Sequence, residues 1–114
     1  MRGEKFIALL AVCMVLVFSQ EGFAYKINHY REEPGIRLEA SQKRIGLIAV
    51  ASAQSIAAWQ IGSRNVKFNN IELYNMNAAR SADFRPVYKL ECESGGRGYE
   101  IEVDAVTGRV ISFR

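Results

Sequence analysis

Cysteine and histidine are almost missing from this chain. Its 114 residues hold two cysteines, Cys13 and Cys92, and one histidine, His29. A structural zinc site needs four Cys/His ligands in close spacing, so none is expected. A nucleophilic hydrolase needs a nucleophile, a base and a group that holds the base. His29 lies in a polar stretch far in sequence from Cys92, so no catalytic residue is assigned and no cofactor or metal is expected. Basic runs are missing too. No Lys/Arg run exceeds two residues and the net charge is only +3. Although the pI is near 9.0, no stripe of charge is present to track phosphates, which argues against nucleic acid as partner.

Long apolar runs are limited to one, FIALLAVCMVLVF at 6–18. As a helix it spans about 20 Å, short of a ~30 Å hydrocarbon core. Arg2 and Lys5 precede it; Gly22 and Ala24 follow it. That is the layout of a secretory signal peptide at 1–24, with cleavage expected after Ala24. An uncleaved anchor is the alternative. Cys13 sits inside the run, not at its end where a lipoprotein cysteine belongs. The expected product is secreted or periplasmic, with no membrane span after cleavage. Cys92 is then its only cysteine, so no internal disulfide can staple a small domain and the core must hold it.

Residues 25–37 (YKINHYREEPGIR) are polar and broken by Pro34-Gly35, and read as a flexible lead-in. Residues 38–61 read as one helix. Ile45, Ile48, Ser52, Ile56 and Trp59 recur at helical spacing, which predicts Trp59 in the core. Ala49, Ala53 and Ala57 lie on or beside that stripe; Lys43, Arg44, Gln54 and Ser55 suit the wetter side. Gly62 is the expected stop. Residues 66–76 (VKFNNIELYNM) predict a strand with a bulge at Asn69-Asn70. Residues 77–85 read as a loop.

Residues 86–93 and 98–103 flank Ser94-Gly95-Gly96-Arg97. A Gly-Gly turn predicts a two-residue hairpin and fixes its register. Cys92 falls opposite Tyr99, Leu90 opposite Ile101, and Tyr88 opposite Val103, all on one face. The other face pairs Glu91 with Glu100 and Lys89 with Glu102. In VDAVTGRV, Asp104, Thr107 and Gly108 all have turn-forming roles. Residues 109–113 complete the order helix and four strands. The expected fold is α+β, one helix packed on a four-stranded antiparallel sheet.

An Ala-rich helix (RIGLIAVASAQSIAAW) followed by PVYKLECESGGRGYEIEVDAVTGRVIS resembles the PepSY domain, a family named for its occurrence in propeptides of secreted metallopeptidases. The resemblance runs through 38–114. Tyr88 matches its first tyrosine, and Tyr99, Val103, Asp104, Ala105, Thr107, Gly108 and Val110 match its closing hairpin. It implies a non-enzymatic domain outside the cytoplasm that binds a protein, with modulation or inhibition of a secreted or periplasmic peptidase as the leading expectation. An envelope-located sensing or small-ligand-binding domain is the alternative.

Two surfaces are candidates for that binding. Glu91, Glu93, Glu100 and Glu102 share the outer face of the hairpin. Lys89, Arg97 or Arg109 can neutralise them; left unpaired, they would meet a basic partner or weakly hold calcium. The sheet edge is the second surface, because an extended peptide can add to it through backbone hydrogen bonds.

Overall fold

The computed structural model describes residues 25–77 and 83–114. The expected signal peptide, and most of the loop expected at 77–85, lie outside the described residues. In chain order the elements are β1 (Ile27–Glu32), α1 (Ile36–Gln42), α2 (Val50–Ile61), β2 (Lys67–Asn75), β3 (Pro86–Ser94), β4 (Arg97–Asp104) and β5 (Val110–Phe113). The five strands form one sheet in the order β1-β2-β3-β4-β5. β1 runs parallel to β2, and every other neighbour is antiparallel. The α+β class holds. The expectation of one helix on four antiparallel strands is corrected to two helices on a mixed sheet of five.

The extra strand is the stretch expected as a lead-in. Parallel neighbours cannot be joined by a tight turn and need a crossover connection. Here α1 and α2 together are that crossover, carrying the chain from the end of β1 back to the start of β2. Pro34 and Gly35 punctuate the exit from β1, with Gly35 at φ +80°. The ladder continues through Glu33, whose N–H donates to the Leu73 carbonyl at 2.8 Å.

The single helix expected over 38–61 is interrupted at 43–49. Ile48 leaves helical geometry because it has better partners. Its N–H donates to the Ala105 carbonyl at 2.7 Å, and its own carbonyl accepts the Tyr88 hydroxyl at 2.7 Å. Arg44 takes a left-handed conformation at φ 57° to make the break. α2 ends as expected, with Gly62 at φ 82° and its N–H donating to the carbonyls of Ala58 and Trp59.

α2 presents Ala53, Gln54, Ala57 and Ala58 to the sheet. At 100° per residue this face is centred about half a turn from the stripe drawn through Ile48, Ser52, Ile56 and Trp59. Trp59 is therefore not core; it is 86% exposed. Gln54 is buried, not wet, and its Nε2 donates to the Tyr25 carbonyl at 3.1 Å. Small side chains let the helix backbone approach the sheet closely. Ile36, Ala53, Ala57 and Ala58 meet Phe68, Ile71, Leu73, Tyr88, Leu90, Cys92, Ile101 and Val103 in one core. Each large side chain fully buried there contributes roughly 1.5–3 kcal/mol. This core does the work that disulfides do in other small domains, since Cys92 is free and buried.

The bulge expected in β2 is present between Phe68 and Asn70. It lets Phe68 and Ile71 both reach the core. The hairpin register is as expected for all five pairs. Gly95 and Gly96 take φ 60° and 79°, the two positive values that a tight hairpin turn of this hand requires.

Candidate functional site

The four candidate glutamates lie on the outer face of the hairpin, and cations or a phenol engage most of that face. Glu100 receives Lys89 Nζ at 3.2 Å and Arg114 Nη2 at 2.6 Å. Glu93 faces Lys67 at 3.8 Å. Glu102 accepts the Tyr74 hydroxyl at 2.6 Å. Glu91 is exposed beside Lys89, whose ammonium is held in its charged form by Glu100 first and by Glu91 and Glu102 as well. The like-charge pair Glu91–Glu100 is thus relieved by Lys89 and Arg114. Arg97 is placed elsewhere, over the Tyr99 ring at 5.2 Å. Among the described residues no three His, Cys, Asp or Glu side chains group as metal ligands.

The residues carrying the family resemblance meet at the junction of sheet and helix. Tyr88 is fully buried and its hydroxyl holds Ile48. Burial keeps it a neutral phenol, against the opposing pull of Arg37. The Asp104 carboxylate accepts the N–H groups of Val106 and Thr107 at 2.8 and 3.0 Å. Thr107 Oγ1 accepts the Arg109 N–H at 3.2 Å. Gly108 sits at φ +79°, and a Cβ there would lie 3.2 Å from Ile56 Cδ1 on α2. VDAVTGRV is therefore a turn that docks on the helix, and its polar groups are spent on its own backbone. Tyr99 stacks on Phe113 with ring centroids 5.7 Å apart.

His29 and Cys92 lie on opposite faces of the sheet. His29 pairs in register with Asn70 on the outer face, while Cys92 pairs with Phe68 on the helix side. Burial pushes the Cys92 thiol up to about 11. The two are not a catalytic pair.

β1 supplies the feature that the sequence reading missed. It is the terminal strand of the sheet, and among the described residues nothing pairs with its outer side. Its two termini are half-buried and the four residues between them are exposed. Backbone groups alternate in direction along a strand. Because Glu33 N–H points at β2, Arg31 and His29 point theirs the same way, and Tyr30 and Glu32 direct theirs out at the open edge. The edge is braced from the helix side. Arg37 Nε bonds both Glu32 oxygens at 2.9 and 2.8 Å, and Tyr30 donates its hydroxyl to Glu32 Oε2 at 2.6 Å. Glu32 is held below the ordinary glutamate range, first by the Tyr30 hydroxyl and then by Arg37. Burial and the Glu32 carboxylate raise Tyr30 well above the ordinary phenol value.

Beside this edge the outer face forms an open groove of about 590 Å³, lined by His29, Arg31, Asn70, Glu72, Lys89 and Glu91 among others. One sequence signal could have found β1: a short run with Ile27 and Tyr30, closed by Pro-Gly and followed by helical residues, is the start of a β-α-β crossover. Among the described residues no helix is long and apolar enough to cross a membrane. No family model, no curated protein and no solved structure matches the chain.

Proposed function

We propose that this chain is an exported, non-enzymatic protein-binding module of the PepSY type, and that it takes an extended segment of its partner onto the free edge of β1. A secreted or periplasmic peptidase is the leading candidate for that partner. The observation that carries the reading is the edge itself. Tyr30 and Glu32 leave backbone donors and acceptors directed outward, and the Arg37–Glu32–Tyr30 cluster ties the end of that strand to α1. An edge so exposed and so braced is ready for strand addition. The acidic face is a weaker candidate because Lys67, Lys89, Arg114 and Tyr74 already engage it.

The test is a titration of the protein into peptidase activity secreted by its source organism. Saturable inhibition near one-to-one is expected. Loss of inhibition on changing Glu91 and Glu100 to Gln would return the site to the acidic face. No inhibition by folded protein overturns the peptidase as target.

A further inference from the structure

We propose that the β1 edge selects an extended peptide in which acidic and apolar side chains alternate. The inference rests on the strand-addition reading above and names the chemistry of its occupant. A residue added opposite Tyr30 in antiparallel register would bond its outward N–H and C=O, and its side chain would share the helix-side face with Tyr30. Tyr30 is 40% exposed there, so its ring offers apolar surface. The two flanking peptide residues fall on the outer face, opposite Arg31 and His29.

That outer row is basic at its rim. The Arg31 side chain is 78% exposed, and its pairing with Glu72 is long, at 3.7 Å. Such an exposed pair holds its cation loosely, so Arg31 can turn to a better placed carboxylate. Lys26 and His29 are exposed on the same strand or just before it. Glu72 lies one strand further in and Glu91 two, beside Lys89. An acidic side chain opposite Arg31 therefore meets a cation first, with Lys26 the next nearest on the strand's approach. Lysines at the same positions meet Arg31 at close range. A second copy of the chain is disfavoured as occupant, because edge-to-edge pairing would bring the exposed Arg31 and Lys26 of both copies onto one outer face.

The experiment uses the full chain and three short peptides that alternate Val with Glu, with Gln or with Lys. Affinity is read by titration, and hydrogen exchange is read at the Tyr30 and Glu32 amides. The Glu/Val peptide is expected to bind about ten-fold more tightly than Lys/Val at low salt, with the difference shrinking as salt rises. It should slow exchange at both amides. Arg31→Glu, a change at an exposed side chain, should reverse the order of the Glu and Lys peptides. Protection by all three peptides with equal affinity overturns the acidic preference and leaves strand addition standing. Binding that leaves both amides unprotected, or no binding by any of the three, overturns both. Protection that grows with protein concentration without peptide identifies a second copy as the occupant and overturns the proposal.

Discussion

The Tyr88 hydroxyl is the strongest single test of how helix and sheet are joined. Tyr88→Phe removes one oxygen and keeps the ring in the core. The lost bond is short, 2.7 Å to the Ile48 carbonyl. A typical buried bond contributes about 1 kcal/mol net, and stranding its partner adds to the loss, up to about 3 kcal/mol. Ile48 is half-buried, so water can partly rescue its carbonyl and the low end applies. The expected cost is about 1–2 kcal/mol. In a domain of 60–100 residues that lowers Tm by roughly 4–16 °C. Denaturant and thermal unfolding followed by circular dichroism would measure it. Hydrogen exchange adds a local readout: the Ile48 N–H, bonded to Ala105 at 2.7 Å, should exchange faster in the variant. Tyr99→Phe is the control, since its ring stack on Phe113 survives, and it should stay within about 0.5 kcal/mol. Equal, small effects at Tyr88 and Tyr99, with Ile48 exchange unchanged, would refute the claim that Tyr88 fixes the break between α1 and α2.

Four further outcomes follow from the same geometry. Gly108→Ala forces a side chain into positive φ and against Ile56 Cδ1, and should cost about 1–2 kcal/mol by denaturant unfolding; a neutral result would mean that the turn relaxes at no cost. Cys92, with its thiol raised to about 11, holds on the order of 10⁻³ thiolate at pH 8, so a thiol reagent should label it only after denaturation, and rapid labelling of native protein would contradict its burial. Trp59 is the sole tryptophan, so native fluorescence should show a water-exposed indole open to iodide quenching, and Trp59→Ala should change stability by less than about 0.5 kcal/mol. Glu32 is depressed in the folded state by Tyr30 and Arg37, so its contribution is complete above the unfolded glutamate value, about 4.3, and is lost as pH falls through the lower folded value; the Tm gap between wild type and Glu32→Gln should be present at pH 6 and close toward pH 3.

The hairpin was legible because its information is local. Gly95 and Gly96 set the turn, the turn sets the register, and the register assigns every side chain from Tyr88 to Val103 to a face. VDAVTGRV was legible for the same reason, since Asp104 and Thr107 satisfy backbone within three residues of themselves and Gly108 within four. The helix break was not. The run QKRIGLIA permits a helix, and what interrupts it is a pair of hydrogen bonds, one donated by Ile48 N–H to Ala105 and one accepted by the Ile48 carbonyl from Tyr88, both partners distant in sequence. Trp59 was misplaced because its stripe and the alanine face lie about half a turn apart on the helix, and only packing against β3 and β4 decides between them.

β1 was illegible for a reason tied to function. A strand inside a sheet shows alternation because one face must be apolar. A terminal strand has less to bury, and INHYRE carries only Ile27 and Tyr30 as a trace of the pattern. Its strand state comes from pairing with β2 across the whole crossover, which no local window contains. Strand addition needs the same condition: outward backbone groups with no partner in the chain, flanked by soluble side chains that keep the edge from pairing at random. The polarity that hides β1 from a periodicity reading is thus the polarity that leaves its edge open. On the proposed reading, the weak strand signal in the sequence and the candidate binding site coincide because both arise from one edge that is unpaired among the described residues.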